Sequence, residues 1–257
     1  MRRQDVRPSP LFLGLLAATI AGGVLLALVE GEIATTAGTL LLVLGGWAVS
    51  LCLHEFGHAY LAYRGGDHEV RLKGYLTLDI RRYTDPVLSI VLPVIFLLIG
   101  GIPLPGGAVW INHHALRTKR VKSMVSLAGP LSNLFLGVLL TLSVVFFFDP
   151  ADFTPTPDPL PAALSFLALL QILAFLLNIL PVPGLDGWGA IEPYLSYQAR
   201  SFGAKARPWA PFILFAVLIG IPGAGQVFFE IGYSLFRVIG GESFVAAWGR
   251  DNFMFWY

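Results

Sequence analysis

The sequence predicts an all-α polytopic membrane protein. About six transmembrane helices are expected, with a re-entrant or interfacial hairpin and a small β-sheet at the cytoplasmic face. Three observations lead there. Of 257 residues, 56% are hydrophobic and 13% charged, against roughly 25% charged in an ordinary soluble domain. The apolar residues gather into long runs, about 11–29, 37–62, 87–104, 124–148, 161–182, 209–222 and 225–240, and a spanning helix needs roughly 20 of them. Lys and Arg concentrate in particular loops, which marks those loops as cytoplasmic. A single large soluble core is disfavoured, and a net charge of +1 offers nothing to nucleic acid. The one cysteine, Cys52, excludes an internal disulfide and a Cys-rich zinc site, and reads as a small apolar filler.

Each element follows in order. The tail carries Arg2, Arg3 and Arg7 and is cytoplasmic, and run 11–29 is too long for a cleavable signal, so it stays as a helix. The acidic loop 30–36 is outside, and helix 37–62 returns inward to a loop rich in Arg64, Arg71, Lys73, Arg81 and Arg82. Residues 69–80 alternate polar and apolar, which predicts short strands, with 108–111 as a further one. Run 87–104 is basic on both flanks and holds Pro93, Gly100, Gly101, Pro103 and Pro105. It therefore reads as a non-spanning hairpin packed on protein. Helix 124–148 runs outward and 161–182 inward. Runs 209–222 and 225–240 form a helical hairpin, and the aromatic tail 241–257 suits an interfacial anchor. Six spans place both termini in the cytoplasm. The whole is one domain, 1–257, with its core at about 37–190.

The most informative segment is His54-Glu55-Phe56-Gly57-His58. On a helix, positions i and i+4 share a face, so His54 and His58 can grip one metal ion. Glu55 stands beside them, able to act on a metal-bound water. H-E-x-x-H is a zinc-hydrolase signature, and here it follows an apolar run of membrane length. Ionisable groups at that depth mark a functional site.

A catalytic zinc needs three protein ligands and an open position. Six residues after His58 stands Arg64 rather than a third histidine, and Glu69 is the nearby acid of the right type but falls in the strand-like segment. The better candidate is Asp186, in Asn178-Ile179-Leu180-Pro181-Val182-Pro183-Gly184-Leu185-Asp186-Gly187. Charge-based topology brings it to the side and depth of His54 and His58. Its prolines and glycines free backbone groups, as expected beside a site.

HExxH in one membrane helix, N-x-x-P-x-P-x-L-D-G after a later one, and Gly129-Pro130-Leu131-Ser132-Asn133 between them resemble the site-2 protease family of intramembrane zinc metalloproteases. The stretch from Gly66-Asp67 to Asp85-Pro86 resembles its compact bacterial branch, without PDZ or CBS domains. The resemblance covers about residues 37–190. It implies Zn2+ held by His54, His58 and Asp186, with Glu55 as general base and then acid. Asn133 and Asn178 match family asparagines that hold the substrate backbone or the oxyanion. It further implies cleavage of a membrane-anchored protein substrate in the lipid bilayer of a bacterial inner or plasma membrane. His68-Glu69 and Asp79-Ile80 depart from that branch, which bears on substrate rather than chemistry. His68, His113 and His114 read as solvated loop residues, and Glu192 as a minor alternative ligand. A transporter using the same ligands is the main rival; the Glu of HExxH and the lack of a His-rich loop argue against it.

Overall fold

The computed structural model describes residues 6–83 and 109–256. The expected hairpin at 87–104 and residue 108 lie outside them. Among the described residues there are helices and turns and no strand. Helix α1 (Pro10–Leu28) starts at Ser9, whose hydroxyl accepts from the Phe12 N–H at 3.1 Å, with Pro10 in the first turn. Helix α2 (Glu32–Gly65) returns against it. Their backbones meet closely: a methyl group on Gly22 would lie 2.6 Å from the Leu42 nitrogen and 2.8 Å from the Gly38 oxygen. Small residues let apolar helices approach in this way when lipid supplies no hydrophobic drive.

After a short helix α3 (Glu69–Leu72), helix α4 (Lys119–Phe147) is capped by Thr118 and carries Pro130 in its interior. Helix α5 (Pro159–Asn178) is the centre of the bundle. It is apolar on every side and buried on every side, as Phe166, Leu167, Leu170, Ile172 and Leu173 show. It touches α1, α2 and α4. Then come α6 (Asp186–Ile191), α7 (Tyr197–Ala206), α8 (Ala210–Gly220), α9 (Ala224–Val238) and α10 (Ser243–Phe253). Helices α9 and α10 also pack on α5.

Among the described residues, four helices are long and apolar enough to cross a membrane: α1, α2, α4 and α5. The bent pair α7 and α8, at 69°, would make a fifth. Taken singly, α8 and α9 have 11 and 15 residues, about 17 and 22 Å of helix, short of a hydrocarbon core of about 30 Å. The hairpin therefore does not supply two full-length crossings on its own.

The expected β-sheet is absent among the described residues, and its reason is local. Asp67 Oδ1 accepts from the Glu69 N–H at 3.0 Å and starts helix α3 where a strand was expected. Gly74 and Leu78 then take left-handed conformations, φ 75° and 56°. Between and after them stand two 3₁₀ turns, Tyr75–Thr77 and Ile80–Arg82. The polar–apolar alternation of the sequence is not matched by burial: Leu72 is 86% exposed, while Leu78, Asp79 and Ile80 are buried in succession. Tight turns rather than a pleat carry the apolar residues inward. Residues 109–111 have neither helix nor strand geometry.

The chain ends lie apart. The Ser9 N–H donates to the Thr77 carbonyl at 2.8 Å, and Phe12 packs with Val70, Tyr75 and Leu76, beyond the end of α2. Helix α10 instead lies on the first turns of α5, where Phe253 is fully buried and packs at a tilt against Phe166 with ring centres 5.6 Å apart. This differs from the expected arrangement with both termini on one face.

Candidate metal centre

His54 and His58 are buried on one face of α2, one turn apart, with their Nε2 atoms 3.1 Å from each other. Asp186 Oδ2 lies 3.2 Å from His54 Nε2 and 3.3 Å from His58 Nε2. The aspartate reaches them because α5 stops at Asn178 and the chain turns tightly. The Val182 N–H donates to the Leu180 carbonyl at 2.8 Å and the Leu185 N–H to Val182 at 2.9 Å. Gly184 adopts φ 101° there, which favours glycine. Asp186 opens α6 as its first residue.

The three atoms form a nearly equilateral triangle, and the donor set suits zinc. Two imidazoles and a carboxylate bind it at about 2.0–2.2 Å, which sets tetrahedral ligand atoms about 3.3–3.5 Å apart. The observed edges come within a few tenths of an ångström of that. The backbone of α4 leaves the space open. A methyl group on Gly129 would stand 2.5 Å from His54 Nε2 and closer still to His58 Nε2.

Helix α4 also orients both histidines. His58 Nδ1 donates to the Val125 carbonyl at 2.7 Å, and His54 Nδ1 to Asn133 Oδ1 at 2.5 Å. Partners of this kind leave each Nε2 lone pair free for a metal. Pro130, between those two positions, has no N–H for the helix ladder and crowds the carbonyl one turn back, which loosens the helix beside the site.

Glu55 is 2% exposed, and its Oε2 accepts from the Val109 N–H at 2.9 Å. A cavity of about 430 Å³ opens onto Glu55, both histidines and Asp186, walled by Trp110, Ile111 and Asn178 among others. Asn133 does not present a free amide to it: its Nδ2 donates to Gln171 Oε1 at 2.7 Å. Asn178 Nδ2 donates to the Ala174 carbonyl at 3.0 Å, within its own helix.

Among the described residues, His54, His58 and Asp186 are the one group of three or more such side chains able to share a metal ion. His68 packs edge-on against Tyr63, and His113 borders the cavity. Glu192 sits 3.9 Å from Arg207, and Glu69 is 3.5 Å from Lys73. Sequence reasoning missed Gln171 and the Val109 N–H. The first had one signal: Ser165, Gln171 and Asn178 are the only polar side chains of α5.

Comparison with known proteins agrees with this chemistry. A protein of Mycolicibacterium smegmatis, provisionally named zinc metalloprotease Rip2, is 45% identical over 256 residues, covering 99% of this chain and 96% of its own. The Rip2 protein of Mycobacterium tuberculosis strain H37Rv is also 45% identical, over 258 residues with the same coverage. The protein YwhC of Bacillus subtilis, likewise provisionally named a zinc metalloprotease, is 32% identical over 182 residues, 68% of this chain and 78% of its own. No family model and no solved structure matches the chain. With such identity along nearly its whole length, and a ligand triangle of zinc dimensions, the chain belongs to the site-2 protease-like family of zinc metalloproteases.

Proposed function

We propose that this zinc metalloprotease is an intramembrane endopeptidase, hydrolysing a peptide bond within the transmembrane segment of a membrane-anchored protein. The observation that carries the reading is the position of the ligand triangle inside a bundle of membrane-length helices. At 1.5 Å per residue, His54 lies about 33 Å along α2, Asn178 about 28 Å along α5, and Gly129 about 27 Å back from the end of α4. All three distances are measured from the face where α10 packs. They agree with one another and with a hydrocarbon core of about 30 Å. The site therefore stands near the other boundary of the bilayer. The last turns of α2 and the first turns of α4 extend beyond it. These ends and the segment that follows α2 carry Arg64, Arg71, Arg81, Lys119 and Arg120, which marks that side as cytoplasmic. The bilayer in question is a bacterial cell membrane, crossed several times, with the N-terminus in the cytoplasm.

Zinc, when bound, acidifies a coordinated water to a pKa of about 7 and polarises the scissile carbonyl. The remaining steps belong to the chain's own residues. His54 and His58 offer neutral imidazole nitrogens because α4 takes their Nδ1 protons as hydrogen bonds. Glu55 removes a proton from the attacking water and passes it to the leaving amine. The Val109 N–H holds the Glu55 carboxylate in place until then. Asn178 borders the cavity and is the asparagine disposed to meet a substrate backbone, by turning its amide away from Ala174. The apolar bundle keeps bulk water from the reacting bond.

The test is Glu55→Gln, expressed with a single-pass membrane substrate. Cleavage is expected to fall by about 100- to 10,000-fold, with one zinc per chain retained. Undiminished cleavage would remove Glu55 from the mechanism. A wild type that moves zinc across vesicles and cuts nothing would favour transport instead.

A further inference from the structure

Gln171 has no role in the chemistry described so far, yet its side chain is fully buried in an apolar helix. Burying an amide in such surroundings is unfavourable unless its hydrogen bonds are made. Only half of this amide is satisfied. Oε1 accepts from Asn133 Nδ2 at 2.7 Å, while Nε2 has no hydrogen-bond partner among the described residues. Helix–helix adhesion alone would not favour a group left half-unpaired.

The bond that is made belongs to a chain of three residues: His54 Nδ1 to Asn133 Oδ1, then Asn133 Nδ2 to Gln171 Oε1. Its direction matters. For His54 Nε2 to hold a metal, its lone pair must be free, so the ring proton sits on Nδ1 and the partner must accept. His58 meets this need through the Val125 carbonyl, which can only accept. His54 relies on a side-chain amide, whose oxygen and NH2 ends have almost the same shape. Turned over, Asn133 would present NH2 to the ring and favour the tautomer with the proton on Nε2, where the metal belongs. An acceptor on α5 facing the NH2 end of Asn133 prevents that turn.

We propose that Gln171 is a positioning residue for the metal centre, holding Asn133 in the orientation that keeps His54 ready for zinc. This rests on the zinc-protease reading above and adds to it a residue of α5 that touches neither metal nor substrate. Outer partners of metal-bound histidines typically contribute about 10- to 100-fold to metal affinity or activity.

The test measures zinc affinity by chelator competition, and the visible spectrum of the cobalt-substituted protein, on the purified full chain in detergent. Gln171→Leu is expected to weaken zinc binding by about 10- to 100-fold and to alter the cobalt bands. Gln171→Glu keeps an acceptor at the same reach and is expected to stay within about threefold of wild type, far less than that loss. In an Asn133→Asp background the residue facing His54 cannot present a donor, so adding Gln171→Leu should cost less than about threefold. Zinc binding unchanged by Gln171→Leu overturns the proposal. So does Gln171→Glu as weak as the leucine variant, or a leucine loss undiminished beside Asn133→Asp. If the leucine variant does not accumulate, Gln171→Glu and Asn133→Asp decide by retaining or losing zinc. A wild type that binds no zinc refutes the metal-centre reading itself, which is a separate outcome.

Discussion

Gly129 is where the chain leaves no room for a methyl group. Any side chain there would stand against both histidine ligand atoms, 2.5 Å from His54 Nε2 and closer still to His58 Nε2. Gly129→Ala is therefore expected to abolish zinc binding while leaving α4 helical, since alanine is the better helix former. Zinc content of the purified variant checks this, and one zinc per chain would contradict it. Glu55 is expected to behave oppositely, because in the proposed mechanism its replacement removes the base and leaves the ligands in place. The histidines, Glu55 and Asp186 were legible in the sequence because their spacing and order carry a chemical meaning. Gln171 was not. It is one glutamine in an apolar helix, its partner Asn133 is 38 positions away, and no periodicity joins them.

At the scale of elements, the run from Asp67 to Tyr83 shows how a correct pattern can yield a wrong geometry. Polar and apolar residues alternate in the sequence there, but the left-handed Gly74 and Leu78 turn the chain where a strand would continue. Burial does not alternate: Leu72 is exposed while Leu78, Asp79 and Ile80 are buried together. Asp79 completes the turn. Its carboxylate accepts from the Arg81 backbone N–H at 3.2 Å and from the guanidinium at 2.9 and 2.8 Å. Those hydrogen bonds from Arg81 hold the acid below its usual value. A depressed carboxylate contributes stability above the unfolded value, near 3.8, and loses it as pH falls through the lower folded value. The metal-free protein should lose thermal stability below about pH 4, and Asp79→Asn should flatten that part of the curve. Thermal unfolding at several pH values checks this, and identical curves for the two proteins would count against the turn's role. The absence of zinc keeps metal loss at low pH out of the comparison.

At the scale of the whole molecule, α5 organises the protein. It carries Gln171 and Asn178, turns into the segment that delivers Asp186, and receives α9 and α10 on its other side. Helix α9 runs away from the site, since Gly232 meets Leu173 and Gly240 meets Val145 near the far end of α4. Helix α10 then covers Ala162 and Phe166. Counting charges treated 209–240 as two crossings and put both termini in the cytoplasm. In the structure α8 is sharply bent from α7, and α9 runs beside α5. Arg237 and Arg250 weighed in the charge count, yet they bond locally to Ser234 and Asp251, at 3.1 and 2.9 Å. Reporter fusions at the two ends of the chain are expected to mark opposite faces of the membrane, and the same face would contradict this packing.

The central claim is that His54, His58 and Asp186 assemble a zinc centre for cutting peptide bonds at membrane depth. The most direct measurement is the mass of the fragments released when the purified, zinc-loaded protein is reconstituted in vesicles with a single-pass substrate. The account predicts a cut inside the apolar segment, in the half nearer the cytoplasm, lost with Glu55→Gln and with Asp186→Ala. A cut confined to the substrate's soluble portion, or one that persists in both variants, would contradict it.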